Sequence, residues 1–200
     1  MLKVGLTGSI AVGKSYICEI LRELGAFVLD ADWTAREVVK PNTDGLRKIV
    51  GQFGAEVLQS NGELDRAKLG GIVFSDERKR QLLNSIVHPL VIEAQNKWLS
   101  ECEKIEPRSI AVIDAALMIE SGSYQRFNKL IVVWCKPEIQ LQRLILRNDL
   151  SEAEASRRIN AQMPQEEKKR YGDFLIDTSE GFEAARQQTV EIFGQLKLLI

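Results

Sequence analysis

The sequence is short of the residues that mark disulfide-bonded, metal-binding and disordered proteins. Its 200 residues include one histidine, five prolines and three cysteines, at positions 18, 102 and 135. An odd number of cysteines without paired spacing argues against a disulfide framework or a zinc site. Cys18 and Cys135 have apolar neighbours and are expected to be reduced core residues. With 44% apolar and 28% charged residues, the composition excludes the disordered and fibrous classes.

The sequence also lacks a large net charge and long apolar runs. A formal net charge of −1 gives no general attraction for nucleic acid or an anionic membrane, so any phosphate-binding surface has to be local. No segment approaches the roughly 18 apolar residues that span a bilayer, and the first residues, MLKVGLTG, do not resemble a signal peptide. We therefore expect a cytoplasmic protein without nucleic-acid or membrane partners. The length favours one core with a modest insertion.

Short apolar segments alternate with helical patterns along most of the chain. This alternation is typical of an α/β fold with a doubly wound, five-stranded parallel sheet, whose ligand crevice lies at the carboxyl ends of the strands. Strands are predicted at residues 3–7, 26–29, 109–113, 130–134 and 174–176, and helices at residues 14–24, 33–39, 137–147, 151–170 and 182–196.

A helical block interrupts this alternation between the second and third strands. It is predicted to contain several helices, with turns at Ser60-Asn61-Gly62 and Gly70-Gly71 and a last helix that begins near Pro89. The chain is thus predicted to be a single domain with three parts. These are a core of about residues 1–42, 105–147 and 172–200, a helical insertion at about 43–104, and a short helical lid at about 148–171.

A glycine-rich loop follows the first predicted strand. Residues 8–15, GSIAVGKS, match the pattern G-x-x-x-x-G-K-[ST], in which backbone N–H groups curl around phosphates at a helix N-terminus. Lys14 is expected to reach the β- and γ-phosphates, and Ser15 to place its hydroxyl on Mg²⁺. Because a strand is predicted before the loop and a helix after it, a triphosphate site is favoured over a plain glycine-rich turn. The predicted nucleotide contacts are Gly8, Ser9, Ile10, Ala11, Val12, Gly13, Lys14, Ser15 and Tyr16.

Carboxylates follow predicted strands on the side of the ligand crevice. Asp32 comes just after the second strand and should point towards the γ-phosphate, where it could orient a substrate hydroxyl and accept its proton. The alternative is that Asp32 only caps the next helix, and Asp30 is the more structural of the two. Asp114 ends the third strand, where it either holds a water of the Mg²⁺ shell or has a structural role.

Arg143 and Arg147 lie one helical turn apart, so their guanidinium groups share a face of the predicted helix. Paired arginines suit stacking on adenine and gripping phosphates. The polar segment that follows has the character of a mobile lid, which would exclude water during transfer. Arg157 and Arg158 either extend this surface or are simply solvated.

A phosphate-binding loop alone does not separate kinases from switches or motors. Asn128-Lys129-Leu130-Ile131 lacks the aspartate of a guanine-reading motif, and the sequence has no Asp-x-x-Gly, which argues against a signalling GTPase. Two interpretations stay open. One is a small-molecule kinase, including a nucleoside or nucleoside monophosphate kinase, and the other is a regulatory module that binds ATP without transferring phosphate. Asp32 favours a kinase, because a sensor needs no base beside the γ-phosphate.

Taken together, these residues resemble the dephospho-coenzyme A kinase family over nearly the whole chain. The Asp-Ala-Asp and Val-His-Pro-Leu runs are more specific than the phosphate-binding loop, which many families share. The segments that carry the resemblance are LTGSIAVGKS from Leu6, LDADWTAREVV from Leu29, LDRAKLGGIVFSD from Leu64, IVHPLV from Ile86, IDAALMIESG from Ile113, QLQRLILRND from Gln140 and RINAQ from Arg158.

The resemblance implies an ATP-dependent phosphotransferase with an alcohol acceptor. Such an enzyme phosphorylates the ribose 3′-hydroxyl of dephospho-coenzyme A, the last step of coenzyme A synthesis. ATP and Mg²⁺ are then expected as co-substrate and cofactor, dephospho-coenzyme A as the small-molecule partner, and a monomer or weak homo-oligomer as the assembly. The implied roles are Asp32 as catalytic base at the acceptor, Lys14 and Ser15 as phosphate and Mg²⁺ contacts, and Arg143 and Arg147 as nucleotide clamps, with Lys14 and Arg143 also acting in catalysis.

The same resemblance places Arg66 and His88 near the acceptor, within the helical block. Without it, His88, the only histidine, would be interpreted as a buried, hydrogen-bonded structural residue. Some positions depart from the family pattern. Tyr16 stands where threonine is common, Asn42 follows Pro41 where glycine is usual, and Ala116-Leu117-Met118 replaces a usual Pro-Leu-Leu. None of these departures removes a group that the chemistry needs.

Overall fold

The structure, a computed structural model, describes residues 1–200 and contains one five-stranded sheet. All four strand pairs are parallel, and the strand order is β2-β3-β1-β4-β5. The doubly wound α/β fold predicted from the alternating pattern is therefore confirmed. The strands are β1 (Leu2–Thr7), β2 (Phe27–Asp30), β3 (Ile110–Asp114), β4 (Lys129–Trp134) and β5 (Phe174–Asp177).

Nine α-helices accompany the strands, and none of them is long and apolar enough to cross a membrane. Short 3-10 turns occur at Ala55–Val57 and Ser123–Arg126. The helices are α1 (Lys14–Glu23), α2 (Ala31–Glu37), α3 (Asp44–Phe53), α4 (Arg66–Phe74), α5 (Glu77–Ile105), α6 (Pro137–Asn148), α7 (Glu152–Asn160), α8 (Gln165–Lys169) and α9 (Phe182–Lys197).

The chain divides into two compact units, which we name the sheet unit (Met1–Asp30 with Glu101–Ile200) and the helical unit (Ala31–Ser100). The lid predicted at about residues 148–171 falls in the sheet unit, where it forms α7 and α8. Its movement stays a prediction. The three cysteines are free and buried, in agreement with the core roles expected for Cys18 and Cys135.

The core of the sheet unit consists of the central strands and the helices packed on them. β3 and β4 carry consecutive buried apolar residues, as expected for strands covered on both faces. Helix α1 buries Ile17, Ile20 and Leu21, which recur at helical spacing along one face. This packing holds β1 in the centre of the sheet, so the loop that follows it emerges between the ends of β3 and β4.

The helical unit has an apolar core of its own. Helix α3 is capped by Thr43, whose hydroxyl accepts a hydrogen bond from the Leu46 N–H. Asn42, the residue before Thr43, has a φ of 69°. Glycine adopts this left-handed conformation freely and asparagine tolerates it, which explains why the family pattern has glycine at this position. The buried members of the core are Val39, Leu46, Ile49, Phe53, Val57, Leu64, Leu69 and Val73.

Two predictions in the helical block were wrong. Pro89 does not start a helix but lies inside α5. Proline has no N–H group to donate to the carbonyl oxygen of Ser85. Because Ser85 is exposed, water can replace this helical hydrogen bond. Gly70-Gly71 is not a turn but part of α4, where burial of Leu69 and Val73 outweighs the weak helix propensity of glycine. The predicted turn at Ser60–Gly62 is confirmed.

Two helical segments also differ from the prediction. α2 begins at Ala31, two residues before the predicted start, so Asp32 lies in the first helical turn rather than before it. The polar stretch of residues 151–170 forms two helices instead of one, because the chain breaks between Asn160 and Gln165 around Pro164.

Candidate active site

The loop between β1 and α1 has the conformation that its glycines permit. A Cβ atom on Gly8 would clash with the carbonyl oxygen of Val133, so no side chain fits there. Gly13 has a φ of 93° and stands directly before α1. Ala11 has a φ of 63°, which strains a residue with a Cβ by about 1–2 kcal/mol. The loop thus has the tight curvature that brings successive backbone N–H groups together at a helix N-terminus.

Lys14 and Asp114 lie close together at this loop. The Lys14 Nζ is 3.9 Å from the Asp114 Oδ1, and each side chain is only 16% exposed. The contact follows from the sheet, because Asp114 pairs in register with Leu6 near the end of β1. Ser15, one residue after Lys14, is exposed at the start of α1. Lys14 and the positive end of α1 give the site a positive potential. The Asp114 carboxylate and the Ser15 hydroxyl add oxygen atoms that can coordinate a metal ion.

Cys18 lies on α1 beside this carboxylate. Burial raises the pKa of the Cys18 thiol, and the charge of Asp114 raises that pKa further. Both effects favour the protonated thiol at neutral pH, and a protonated thiol is a poor nucleophile.

Arg143 is fixed by the polar residue that follows β5. Its Nη1 donates to the Thr178 hydroxyl at 2.9 Å, and its Nη2 donates to the Thr178 carbonyl oxygen at 2.8 Å. The same hydroxyl donates to the carbonyl oxygen of Val12 at 2.7 Å, within the glycine-rich loop. Thr178 therefore joins α6, the end of β5 and the loop, and it holds the guanidinium group of Arg143 in one orientation.

A cleft of about 270 Å³ adjoins the loop. On one side the Tyr16 and Phe182 rings meet edge to face, with centroids 4.8 Å apart, and the Tyr16 hydroxyl donates to the Phe182 carbonyl oxygen at 3.2 Å. The aromatic surface and the guanidinium group are suited to a flat heterocycle, since both stack on π systems. The lining residues are Gly13, Tyr16, Arg143, Thr178, Gly181, Phe182 and Ala185.

The other predicted arginines do not line this cleft. Arg147 is exposed, and its Nε donates to the side-chain oxygen of Asn148 at 3.0 Å. Arg157 and Arg158 are exposed on α7. The structure thus brings Arg143 to the glycine-rich loop, whereas the arginines at 147, 157 and 158 face solvent around the start of the predicted lid.

The residues predicted to serve the acceptor belong to the helical unit. Asp32 is exposed in the first turn of α2, Arg66 is exposed at the start of α4, and His88 is exposed within α5. His88 is therefore not the buried structural histidine that its residue type alone suggested. Asp30 ends β2 in the sheet unit, where it pairs in register with Asp114.

Several residues at the loop were missed by the sequence analysis. Thr178 follows directly after β5, and a polar residue at the carboxyl end of a parallel strand is a signal that could have found it. Gln140 and Gln162 bind the Ile10 peptide, although nothing in their spacing indicates this. Lys168 is fully buried, and its ammonium group contacts the Ala116 carbonyl oxygen and the Glu120 carboxylate, each at 2.8 Å.

Comparison with known proteins identifies the family. A model of the dephospho-CoA kinase family matches residues 2–183. A dephospho-CoA kinase from Geobacillus kaustophilus is 45% identical over 196 residues, which cover 97% of this chain and 96% of that protein.

Solved structures share this fold, and one of them is a dephospho-CoA kinase. The dephospho-CoA kinase from Campylobacter jejuni superposes with a TM-score of 0.74 at 29% identity, over 98% of this chain and 96% of that one. A crystal structure of a Thermus thermophilus protein superposes with a TM-score of 0.84 at 28% identity, over 98% and 97% of the two chains. This chain, with its glycine-rich loop between β1 and α1, belongs to the dephospho-CoA kinase family.

Proposed function

We propose that this protein transfers the γ-phosphate of ATP to the ribose 3′-hydroxyl of dephospho-coenzyme A, giving coenzyme A and ADP. The observation that carries the proposal is the combination of a phosphate-binding loop with an adjoining cleft bounded by Arg143, Tyr16 and Phe182. The loop suits a polyphosphate, and the cleft suits a purine. Family membership supplies the acceptor.

In this proposal the triphosphate binds along the loop. Backbone N–H groups and Lys14 neutralise the phosphate oxygens, on which charge is spread during transfer. The adenine ring lies in the cleft between the aromatic rings and Arg143, whose orientation is fixed by Thr178. A group held in place beforehand loses little entropy when the nucleotide binds, so it contributes more to affinity and rate.

Asp32 is proposed as the catalytic base. In a loose phosphoryl-transfer transition state the base mainly orients the hydroxyl and collects its proton late, so an exposed aspartate is adequate. Asp32 would accept the 3′-hydroxyl proton as the oxygen attacks the γ-phosphorus and the bond to the bridging oxygen of ADP breaks. Arg66 and His88 are proposed contacts of the acceptor, and Arg147 a clamp of the nucleotide.

The residues at the loop fit a magnesium ion. Ser15 offers an exposed hydroxyl, and Asp114 offers a carboxylate next to Lys14. Hard oxygen donors of this kind are what Mg²⁺ prefers, with waters and phosphate oxygens completing its shell. When bound, the ion would screen the negative charge of the phosphates. A cytoplasmic location and a monomeric or weakly associating state stay predictions.

The proposal is tested by incubating the purified protein with Mg-ATP and dephospho-coenzyme A and following both ADP and coenzyme A. Adenosine and AMP serve as competing acceptors. We expect coenzyme A as the product, and a loss in kcat of roughly 10²–10⁴-fold in Asp32→Asn with ATP affinity unchanged. Asp30→Asn, two residues earlier, is the matched control and should keep most of the activity.

The alternative outcomes point to different functions. Phosphorylation of AMP or adenosine in preference to dephospho-coenzyme A would replace the proposed acceptor with a nucleotide or nucleoside. Tight ATP binding without any transfer would favour a regulatory module, and full activity of Asp32→Asn would remove Asp32 from the chemistry.

A further inference from the structure

Three glutamine side chains form a hydrogen-bonded group beside the glycine-rich loop and have no role in the proposed chemistry. Gln140 lies in α6, Gln162 lies between α7 and α8, and Gln165 begins α8. All three make hydrogen bonds that end on the backbone of the loop or of the segment after β4. An uncharged amide is both a donor and an acceptor, so it can hold a peptide group without disturbing the charge of a phosphate site.

The peptide groups of Ile10 are held from both sides. The Ile10 N–H donates to the Gln162 Oε1 at 2.7 Å, and the Gln140 Nε2 donates to the Ile10 carbonyl oxygen at 2.8 Å. Gln162 is 152 residues from Ile10 in the sequence, and Gln140 is 130 residues away. Ile10 is the third residue of the loop, between Gly8 and the strained Ala11. Its backbone is therefore fixed by side chains and not by regular secondary structure.

The hydrogen bonds continue as a directed chain. The Gln165 Nε2 donates to the Gln140 Oε1 at 2.8 Å, and the Cys135 N–H donates to the Gln165 Oε1 at 3.0 Å. The N–H groups of Ile10 and Cys135 can only donate, and the Ile10 carbonyl can only accept. The orientation of every amide in the chain is thus determined by its partners. Gln140 is buried, and buried networks of this kind are stiff when every member is satisfied.

The segment that carries Gln162 is itself anchored at a second point. Lys168, at the far end of the segment, is buried and holds the Ala116 carbonyl oxygen and the Glu120 carboxylate. The Met163 N–H also donates to the Glu120 carboxylate, at 3.3 Å. Residues 162–168 are therefore tied to the chain that follows β3 as well as to the glycine-rich loop. Gln162 can transmit this anchoring to Ile10 because its own backbone is fixed.

We propose that Gln162 and Gln140 are positioning residues of the phosphate-binding loop. By holding the Ile10 peptide on both sides, they fix the curvature of the loop. This curvature directs the backbone N–H groups after Ile10 towards the phosphates. Donors held in place beforehand need no reorganisation when the triphosphate binds. They also couple the loop to residues 162–168, the second half of the predicted lid. The inference rests on triphosphate binding by this loop, which the proposed function includes.

The first test needs no nucleotide, so its result is independent of the proposed function. Hydrogen exchange of the Ile10 amide is measured by NMR in the free protein, for the wild type, Gln162→Met and Gln162→Glu. We expect Gln162→Met to speed exchange at least about tenfold, since the amide loses its acceptor, and Gln162→Glu to keep it slow, since a carboxylate still accepts. Gln142→Leu, at an exposed position of α6, is the control. An unchanged exchange rate in Gln162→Met would overturn the proposal.

The second test measures the consequence for phosphate binding. Gln162→Met should weaken binding of ATP and ADP by roughly tenfold and raise the KM for ATP. Its affinity for adenosine and its KM for dephospho-coenzyme A should stay unchanged. A purely structural defect would weaken the binding of ATP, ADP and adenosine alike, raise the KM for dephospho-coenzyme A and lower the melting temperature. That result would count against the proposal. ATP binding as tight as in the wild type, or tighter, would show that Gln162 does not prepare the loop or that it competes with phosphate for the Ile10 N–H.

Discussion

The two units of the molecule present their candidate functional groups in different ways. In the sheet unit, Arg143 is fixed by two hydrogen bonds to Thr178, and the Ile10 peptide is held by two glutamines. In the helical unit, Arg66 and His88 stand on exposed parts of their helices. If the sheet unit binds the nucleotide, as we propose, this part of the site is built before any ligand binds. If the helical residues serve the acceptor, the cost of ordering their side chains falls on acceptor binding.

The largest effect that we expect is a loss of stability when a buried contact of the sheet unit is removed. Lys168→Met should lower the free energy of unfolding by about 3 kcal/mol, because it removes a buried ammonium group that contacts the Glu120 carboxylate and the Ala116 carbonyl oxygen. Burial lowers the pKa of Lys168, and the Glu120 carboxylate acts in the opposite direction by favouring the charged ammonium group. Urea unfolding measures the change.

The matched variant in the helical unit is Lys48→Met. It removes an exposed ion pair with Asp44, and we expect no measurable loss of stability. Equal losses in Lys48→Met and Lys168→Met would contradict the difference that we describe between the units.

A smaller effect is expected at the cleft. Thr178→Val keeps the shape of the side chain but removes the acceptor of Arg143 Nη1 and the donor to the Val12 carbonyl. We expect the KM for ATP to rise by roughly tenfold, with the KM for dephospho-coenzyme A unchanged. Steady-state kinetics with each substrate varied in turn provide the measurement. Thr189→Val, a buried threonine in α9 that bonds only to Ala185 in its own helix, is the control. A similar rise in both variants would mean that Arg143 does not need its anchor.

The smallest effect is expected in the helical unit. Arg66→Ala should raise the KM for dephospho-coenzyme A about fivefold and leave the KM for ATP unchanged, because an exposed guanidinium loses part of its interaction energy to water before it meets an anion. Arg47→Ala, an exposed arginine of α3, is the comparison variant. If Arg66→Ala changed only the KM for ATP, Arg66 would belong to the nucleotide side.

The elements that depend on local pattern were predicted well, and the exceptions are informative. The glycine-rich loop with its flanking strand and helix was predicted because the necessary residues are consecutive. Helix α6 was found because proline at its start and the spacing of its apolar residues agree. Pro89 was misinterpreted because proline is favoured at the start of a helix. In this protein Pro89 lies in the middle of α5, and the rest of that helix tolerates it.

Residues of the loop itself were named from the sequence, whereas several residues that contact the loop only through folding, such as Thr178 and Gln162, were missed. Thr178 lies 166 residues from Val12, and Gln162 lies 152 residues from Ile10. A glutamine or a threonine has no property in the sequence that distinguishes one bound to the loop from one in solvent. Arg143 and Arg147 illustrate the same limit, since one is anchored beside the loop and the other bonds to its neighbour Asn148.

By itself, the sequence determined the alternating architecture, the glycine-rich loop and the family, because hydrophobic periodicity and consecutive motif residues are local properties. The tertiary structure decided which side chains hold that loop. The hydrogen bonds to Ile10 and Val12 need the sheet to bring the ends of β1, β4 and β5 together. Their partners, Gln162 and Thr178, are close to the loop in space but far from it in the sequence.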